Sequence, residues 1–280
     1  MSLAEAVALA ARFGADGRFL AGGTDLLVQV QRGRVSPRHM IALHRVPGLS
    51  GIDVDGGIAL GACVTHRAIE KTRAFAGPLR AIVEGAEVIG GHQVRNVATV
   101  GGNLVNASPA ADLTPCLLAL DARVSLLSLA GERELPLERF LVGPNATARH
   151  PDELLTRVRV PSLPPHAATA FLKAGRRKAM EISVVCVAVR LTLDASRMRC
   201  LEGRIALGAV APITVRAHAA ERALVDQPVG VETFARAAEA AREACAPIDD
   251  VRASAQFRRH LVGVLVRRAL ERCAERARAA

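Results

Sequence analysis

Two glycine-rich segments have the residue types and spacing that suit a ligand. They read Ala21-Gly22-Gly23-Thr24-Asp25 and Thr99-Val100-Gly101-Gly102-Asn103. Consecutive glycines let backbone N–H groups turn toward one point, and they let a ligand approach without meeting a Cβ. Such a concavity, with a helix N-terminus after it, binds phosphate oxygens. The segments therefore favour a diphosphate ligand, although tight turns between strands and helices would leave the same pattern.

Neither segment fits a known nucleotide-binding fingerprint. The chain has no GxGxxG, no GxxxxGK[ST] and no GxSxG or HExxH pattern. Zinc and iron–sulfur sites normally use closely spaced cysteines. The cysteines here are dispersed, at Cys63, Cys116, Cys186, Cys200, Cys245 and Cys273. The sequence thus predicts no catalytic side chain and no metal site, and it leaves cofactor chemistry, in which the protein positions and tunes a bound group.

Two charged residues are candidates for further ligand contacts. Asp112 precedes an apolar helix, so it is either the N-cap of that helix or an acceptor for ligand hydroxyls. Lys173 ends an apolar strand and is either a solvated strand end or a fixed cation beside an electron-rich ring or a phosphate. His92 lies among glycines and has no predicted role.

Composition limits the possible classes of protein. The 280 residues are half apolar, enough for about two domains, with seven Phe, no Tyr and no Trp. A net charge of +10 suits a phosphate-bearing ligand. Without Tyr or Trp there is no stacking platform for single-stranded nucleic acid, so no nucleic-acid partner is predicted. No apolar run predicts a membrane span and no signal peptide is seen, so we expect a cytoplasmic protein with reduced thiols.

The elements that position these residues follow from caps and periodicity. Ser2 and Glu5 form a capping box that begins a helix ending near Phe13, and Thr65 caps another helix. The run 184–189 is apolar at every position, which predicts a strand buried on both faces. A linker is predicted at Pro161–Pro165. Strands are predicted at 19–21, 40–43, 52–54, 58–60, 124–129, 133–135, 169–173, 182–193 and 204–210, and further helices at 25–31, 78–89, 113–120, 216–224, 231–245 and 253–274. These elements indicate an α+β fold.

Four segments follow one another in a specific order: Phe19–Gly33, Gly91–Val124, Phe171–Val185 and Arg204–Leu224. With their AGGTD, TVGGN and SPAAD motifs, they resemble the FAD-binding (medium) subunit of molybdenum hydroxylases. That family includes flavoprotein subunits of xanthine dehydrogenase and carbon monoxide dehydrogenase. The resemblance implies a two-part FAD-binding domain like that of vanillyl-alcohol oxidase over residues 1–163, with subdomains of about 1–50 and 51–163. It implies a C-terminal antiparallel sheet with helices over 164–280.

The resemblance also implies FAD in the crevice between these parts. The residues that would wrap the pyrophosphate through backbone N–H groups are Leu20, Ala21, Gly22, Gly23, Thr24, Asp25 and Leu26. Those that would supply a second phosphate and ribityl cradle are Thr99, Val100, Gly101, Gly102 and Asn103. Ile89 would contact the cofactor, Asp112 would accept from ribityl hydroxyls, and Leu155 and Lys173 would approach the isoalloxazine from the C-terminal side. A Cβ at Gly22 or Gly102 is expected to face the diphosphate.

The function that the resemblance implies is electron transfer. A molybdopterin-binding large subunit would oxidise the substrate, and a [2Fe–2S] small subunit would pass electrons to FAD here. NAD or another external acceptor would take them from the flavin. Members commonly begin with an additional strand, which we expect to be absent here or supplied by a partner. Two alternatives stay open: a stand-alone flavoprotein reductase, which needs its own acid–base motif, and a basic scaffold protein without cofactor.

Overall fold

Side-chain caps fix where several helices begin. Ser2 and Glu5 form the complete capping box, and that helix ends at Phe13, with Gly14 as its C-cap at a φ of +51°. The hydroxyls of Thr65 and Thr99 each accept the backbone N–H three residues on. In the computed structural model, which describes residues 1–177 and 179–279, the α-helices are α1 (Leu3–Phe13), α2 (Leu26–Gln31), α3 (His66–Lys71), α4 (Arg80–Glu87), α5 (His92–Val97), α6 (Val100–Asn106), α7 (Leu113–Ala119), α8 (Leu137–Phe140), α9 (His218–Arg222), α10 (Val231–Glu243) and α11 (Ala255–Ala279).

The strands are short in the N-terminal half and longer in the C-terminal half. They are β1 (Gly17–Leu20), β2 (His39–Ala42), β3 (Ile52–Asp53), β4 (Gly57–Gly61), β5 (Arg123–Ser128), β6 (Gly131–Pro136), β7 (Leu141–Gly143), β8 (Ala146–Thr147), β9 (Leu154–Pro161), β10 (Ala167–Ala174), β11 (Val185–Leu193), β12 (Cys200–Gly208) and β13 (Val215–Arg216). β1 and β2 form a parallel pair, and β7 and β8 an antiparallel one. The two larger sheets are antiparallel, ordered β3-β4-β9-β5-β6 and β10-β11-β12-β13. This mixture of helices and antiparallel sheets confirms the predicted α+β class.

The four-stranded sheet is covered on both faces. α4 and α7 pack on one face, and α11, backed by α10, packs on the other. Every residue of β11 is buried, which confirms the two-sided burial predicted from its continuous apolar run. A separate small hydrophobic cluster joins α1 to β2 and to the start of β9. The cores therefore bring α7 against the C-terminal sheet and leave β1 and α2 in a smaller N-terminal unit.

Charged residues join the far end of α7 to the same sheet. Asp121, just after this helix, accepts hydrogen bonds from Arg190, Arg204 and Arg216, with nitrogen–oxygen distances of 2.8 to 3.1 Å in each ion pair. Asp121 has a φ of +53°, a conformation that Asp tolerates better than most residues. α7 is thus fixed to the C-terminal sheet at the end that lies away from Asp112.

The structure departs from the predicted elements in the glycine-rich region. Thr99–Asn103 was expected to be a turn, but it begins α6, because the Thr99 hydroxyl caps that helix and helical backbone continues through Gly101 and Gly102. A further helix, α5, precedes it. The predicted helix at 216–224 is shorter, because Arg216 pairs with β12 as part of β13.

Candidate functional site

A cleft of about 600 Å³ is lined by both glycine segments. The segments touch where Gly22 lies against the backbone of Val97 and Ala98, which lead into the second segment. An isolated β-bridge between Thr65 and Thr99 fixes the second segment from behind. The chain therefore brings together two regions that are remote in sequence and gives them a common cavity.

Most of the sixteen residues predicted to form the site line this cleft. Those that line it are Ala21, Gly22, Gly23, Thr24, Asp25, Leu26, Ile89, Thr99, Gly101, Gly102, Asn103, Asp112 and Leu155. The exceptions are Leu20, Val100 and Lys173. Val100 is fully buried in the hydrophobic core, and Lys173 lies on a neighbouring cavity of about 420 Å³. The roles of all sixteen toward a ligand stay predictions.

The first glycine segment has an unusual set of unused donors. The backbone N–H groups of residues 22–26 donate to no group in the described part of the chain. Five successive amides without a protein partner are rare in a half-buried segment, because such groups are normally satisfied. Gly23 has a φ of +74°, which turns the chain so that neighbouring N–H groups face one side. This segment can therefore surround an anionic oxygen.

The backbone N–H groups of the second glycine segment already donate to acceptors within the protein. Val100 donates to Val64 O at 2.9 Å and Gly101 to Ala62 O at 2.8 Å. Gly102 donates to the Thr99 hydroxyl oxygen at 3.1 Å. These bonds leave a ligand only side chains at this wall. The Thr99 hydroxyl keeps its own proton free to donate, because it accepts rather than donates in the cap.

The glycines are required for different reasons, and the reason expected for Gly22 is wrong. A Cβ at Gly22 would overlap the Val97 carbonyl rather than face a ligand. A Cβ at Gly101 would lie 2.7 Å from the Ala62 Cβ, so this glycine permits close packing on the end of β4. At Gly102, which lines the cleft, a Cβ would meet only the Thr99 hydroxyl, at 2.9 Å, and otherwise open space.

Asp112 lies at the border of the cleft with the C-terminal sheet. It occupies the N-cap position of α7 but makes no side-chain capping bond, so the capping interpretation is wrong. Its carboxylate instead accepts hydrogen bonds from Lys173 Nζ at 2.7 Å and from Ser183 Oγ at 2.5 Å. Burial raises the pKa of Asp112, while Lys173 and Ser183 act in the opposite direction. Lys173 is thus a partner of Asp112 rather than a solvated strand end.

Leu155 lines the cleft from the five-stranded sheet. It belongs to β9 and is only 3% exposed. Its approach to the isoalloxazine from the C-terminal side, which the resemblance implied, stays a prediction. Ile89 is half-buried in the turn between α4 and α5, where its side chain borders the cleft.

A buried arginine that the sequence analysis did not single out holds the turn of Ile89. Arg95 Nη1 donates to the carbonyls of Ile89 and Gly90 at 3.0 and 3.2 Å. Its Nε lies 2.7 Å from a carboxylate oxygen of Glu70 on α3. Arg95 is the one charged residue inside a glycine-rich, otherwise uncharged stretch, and this contrast is the signal that could have identified it.

A buried histidine was also missed. His66 begins α3, lines the cleft and is 1% exposed, and neither ring nitrogen has a hydrogen-bond partner among the described residues. Burial, with a smaller contribution from Arg95, lowers the pKa of His66 to about 4. The imidazole is therefore neutral near pH 7. Its backbone N–H donates to Ala98 O, so His66 also supports the second glycine segment.

The described residues contain no cluster of three or more His, Cys, Asp or Glu side chains that could hold a metal ion. All six cysteines are buried and unpaired. Within the same residues, no helix has the length and apolarity needed to cross a membrane.

Comparison with known protein families supports this geometry. Residues 1–163 match the model of the FAD binding domain in molybdopterin dehydrogenase. Residues 170–273 match that of the CO dehydrogenase flavoprotein C-terminal domain. The chain belongs to the FAD-binding subunits of the molybdenum hydroxylase family. The cofactor of the family's FAD-binding domain is FAD, and the members are flavoprotein components of oxidoreductases.

Similarity to individual members of this flavoprotein family extends over nearly the whole chain. The chain is 34% identical to the 6-hydroxypseudooxynicotine dehydrogenase complex subunit alpha of Paenarthrobacter nicotinovorans, over 99% of this chain and 93% of that one. It is 32% identical to the carbon monoxide dehydrogenase medium chain of Afipia carboxidovorans, over 99% and 96%. A solved carbon monoxide dehydrogenase from Hydrogenophaga pseudoflava superposes with a TM-score of 0.93 at 31% identity, covering 98% and 95%. These findings confirm the resemblance, and none of them favours the scaffold alternative.

Proposed function

We propose that this flavoprotein is the electron-transfer subunit of a molybdopterin-dependent hydroxylase or dehydrogenase complex. Electrons would come from the [2Fe–2S] clusters of a small partner subunit, pass through FAD bound to this chain, and leave to an external acceptor such as NAD. A large partner subunit would hold the molybdopterin and oxidise the substrate. The observation that carries the proposal is that residues 22–26, whose backbone N–H groups have no acceptor among the described residues, line a cleft of about 600 Å³.

The residues present fit an FAD molecule. Five unsatisfied amides suit the two negative charges of a diphosphate, because amide donors in a partly dry site bind anions strongly. The Thr99 hydroxyl and the Asn103 amide would add side-chain donors on the opposite wall. FAD, when bound, supplies one- and two-electron redox chemistry. This chain's own task is to bind and orient it, and no side chain need transfer a proton.

The ring end of the cleft is proposed to lie beside Asp112. This carboxylate has lone pairs left after it accepts from Lys173 and Ser183, so it can accept from ribityl hydroxyls. Ile89, held by Arg95, would contact the flavin, and Lys173 would act mainly through Asp112. Leu20 and Val100 would support the cradle through the backbone rather than touch the cofactor.

The proposed organisation assigns residues 1–163 to FAD binding and 164–280 to a C-terminal flavoprotein domain. Two hydrophobic clusters dominated by different sheets support this division. The names of relatives support the partners, because one is called a complex subunit and another a medium chain. Six buried, unpaired thiols are compatible with a reducing compartment such as the cytoplasm.

Purification of the native complex tests this function. Molybdenum, iron, pterin and flavin should be measured together on the same preparation. We expect one FAD for each copy of this chain, with flavin absorption bands near roughly 375 and 450 nm, and two [2Fe–2S] clusters and one pterin in the partner chains. Rapid-mixing spectra should show iron–sulfur reduction before flavin reduction. A complex that carries FAD but no molybdenum would refute the electron path, and a colourless chain would refute FAD binding itself.

A further inference from the structure

We propose that an exposed apolar surface beside the ring end of the cleft is where the [2Fe–2S] small subunit docks. This docking surface consists of Ile248, Val251 and Phe257, together with Met180 of a neighbouring loop. The inference rests on the proposed function, because that function supplies the partner. It adds the part of this chain that the partner would cover, which no sequence motif identifies.

The segment between α10 and α11 exposes three large apolar side chains. Val251 is 89% exposed, Ile248 70% and Phe257, at the start of α11, 50%. Met180, in the loop after β10, is 62% exposed. Arg176 joins this loop to the segment, because its Nη1 donates to the Val251 carbonyl at 3.2 Å. A single exposed apolar residue needs no explanation, but several on adjoining segments are typical of a surface that another molecule covers.

A carboxylate and a buried arginine hold the irregular segment between α10 and α11 in place. Asp250 accepts from the backbone N–H of Arg252 at 2.8 Å and from Arg258 Nη2 at 2.7 Å. Arg258 is 3% exposed, and its Nη1 donates to the carbonyls of Val184 at 2.7 Å and Ala209 at 3.0 Å. The segment is therefore fixed to the C-terminal sheet, and a surface that is already ordered loses less entropy when a partner binds.

The same anchor places the docking surface beside the ring end of the cleft. Val184, which accepts from Arg258, follows Ser183, and the Ser183 hydroxyl donates to Asp112. Ile182, one residue earlier, lines the cleft itself. Electrons can enter a flavin only from a donor that lies close to its ring. The chain that carries the [2Fe–2S] clusters is therefore the partner that fits this position.

Three exposed arginines lie in the segments that form the docking surface. Arg176 and Arg177 precede Met180, and Arg259 lies two residues after Phe257. Arg177 donates to the Met180 carbonyl at 2.6 Å, and Arg176 to a carbonyl of the other segment. None of the three forms an ion pair with a residue in the described part of the chain. Cations without a counterion beside an apolar surface favour a partner whose rim carries carboxylates, because complementary charges speed association.

Photocrosslinking from position 251 identifies what covers the docking surface. V251C gives the chain one exposed thiol, because all six native cysteines are buried. The full chain, loaded with FAD, is labelled at this thiol with a photoreactive maleimide, assembled with the large and small subunits, and irradiated. We expect a crosslink to the [2Fe–2S] subunit. V54C is the matched control, because Val54 is also exposed but lies in the turn between β3 and β4, where no crosslink to that subunit is expected.

A charge at the same position supplies a second measurement, the affinity of this chain for the large and small subunits expressed together. V251D should raise that Kd about tenfold or more, because its carboxylate would be buried without a partner and would face an acidic rim. V54D should leave the Kd unchanged. The FAD content and melting temperature of V251D should match those of the wild type, because Val251 is exposed and does not line the cleft.

Three results overturn the inference. They are a crosslink from V251C to the molybdopterin subunit or to a second copy of this chain, no crosslink in an assembled complex, and equal Kd values for V251D and the wild type. A native complex without a [2Fe–2S] chain would instead refute the proposed function.

Discussion

The two glycine segments look alike in sequence and work differently in the structure. Residues 22–26 have backbone N–H groups without protein partners, whereas those of Val100 to Asn103 are all occupied by Val64, Ala62 and Thr99. The first segment therefore has the free backbone donors that the proposed anion site needs. The second is a capped helix start whose Gly101 permits close packing and whose Thr99 and Asn103 line the cleft. Paired glycines indicate that another group comes close to the backbone, but they do not tell whether that group is a ligand or another part of the protein.

The largest expected effect on stability comes from a substitution that breaks the contact between the two segments. G22A places a methyl group on the Val97 carbonyl, so we expect a loss of about 4 kcal/mol of unfolding free energy, at the upper end for overpacking. Urea unfolding followed by circular dichroism measures it. G51A is the matched control, because a Cβ there would meet nothing within 4 Å. Equal stability of G22A and G51A would contradict the close contact.

Lowering the pH should reduce the stability of the folded chain through His66, which supports the second segment. Its pKa is about 4 in the folded chain against about 6.5 unfolded, so the unfolded state takes up the proton first as pH falls. The free energy of unfolding is unaffected by His66 above about pH 6.5. As the pH falls toward about 4, protonation of this residue lowers it by about 3 kcal/mol. H66L should remove most of this decrease in the pH profile of the melting temperature. A profile unchanged by H66L would show that His66 is not a neutral buried group.

A comparison of variants at Thr99 and Thr65 distinguishes the helix-capping role from the ligand-binding role. Both cap helices, so T99A and T65A should each cost about 1 kcal/mol in thermal unfolding. Only Thr99 lines the cleft, so only T99A should also weaken FAD binding, by about fivefold, because it removes a neutral donor of the cradle. Equal FAD affinity of the two variants in a fluorescence titration would remove Thr99 from the cofactor site.

The smallest effect on stability is expected at Gly102. In G102A the gain in helix propensity, about 1 kcal/mol, opposes the close contact with the Thr99 hydroxyl. Unfolding free energy should therefore change by less than about 0.5 kcal/mol. FAD affinity should nevertheless fall, because the methyl group would occupy open space beside the Thr99 hydroxyl at the wall of the cleft. An unaltered Kd for FAD in equilibrium dialysis would show that the cofactor does not approach this position.

Local physics made much of the fold predictable. The capping box at Ser2, the cap at Thr65 and the continuous apolar run of β11 each depend on neighbours in sequence, and each was predicted correctly. The α6 start was misjudged, because two glycines suggest a turn when only residues 99–103 are considered. The carbonyls that accept from Val100 and Gly101 lie more than thirty residues upstream.

Only the site residues that belong to a sequence motif were predictable. Most of the residues that the glycine pairs and the resemblance identified do line the cleft, but other residues make up more than half of its lining. Arg95 and His66 belong to no known motif, because their positions depend on how α3 and α5 come together. The Asp112 interpretation shows the same limit: a local cap is the simplest expectation, but Lys173 and Ser183, brought close by tertiary folding, take the carboxylate instead.

The contact of Gly22 with the Val97 carbonyl also bears on when the cofactor is loaded. Because this contact joins two stretches of protein backbone, we expect it to form during folding, with flavin loading as a later docking step. Stopped-flow mixing of flavin-free chain with FAD should then give a single bimolecular phase. A slow phase whose rate does not depend on FAD concentration would mean that the cleft takes its final shape only when FAD binds.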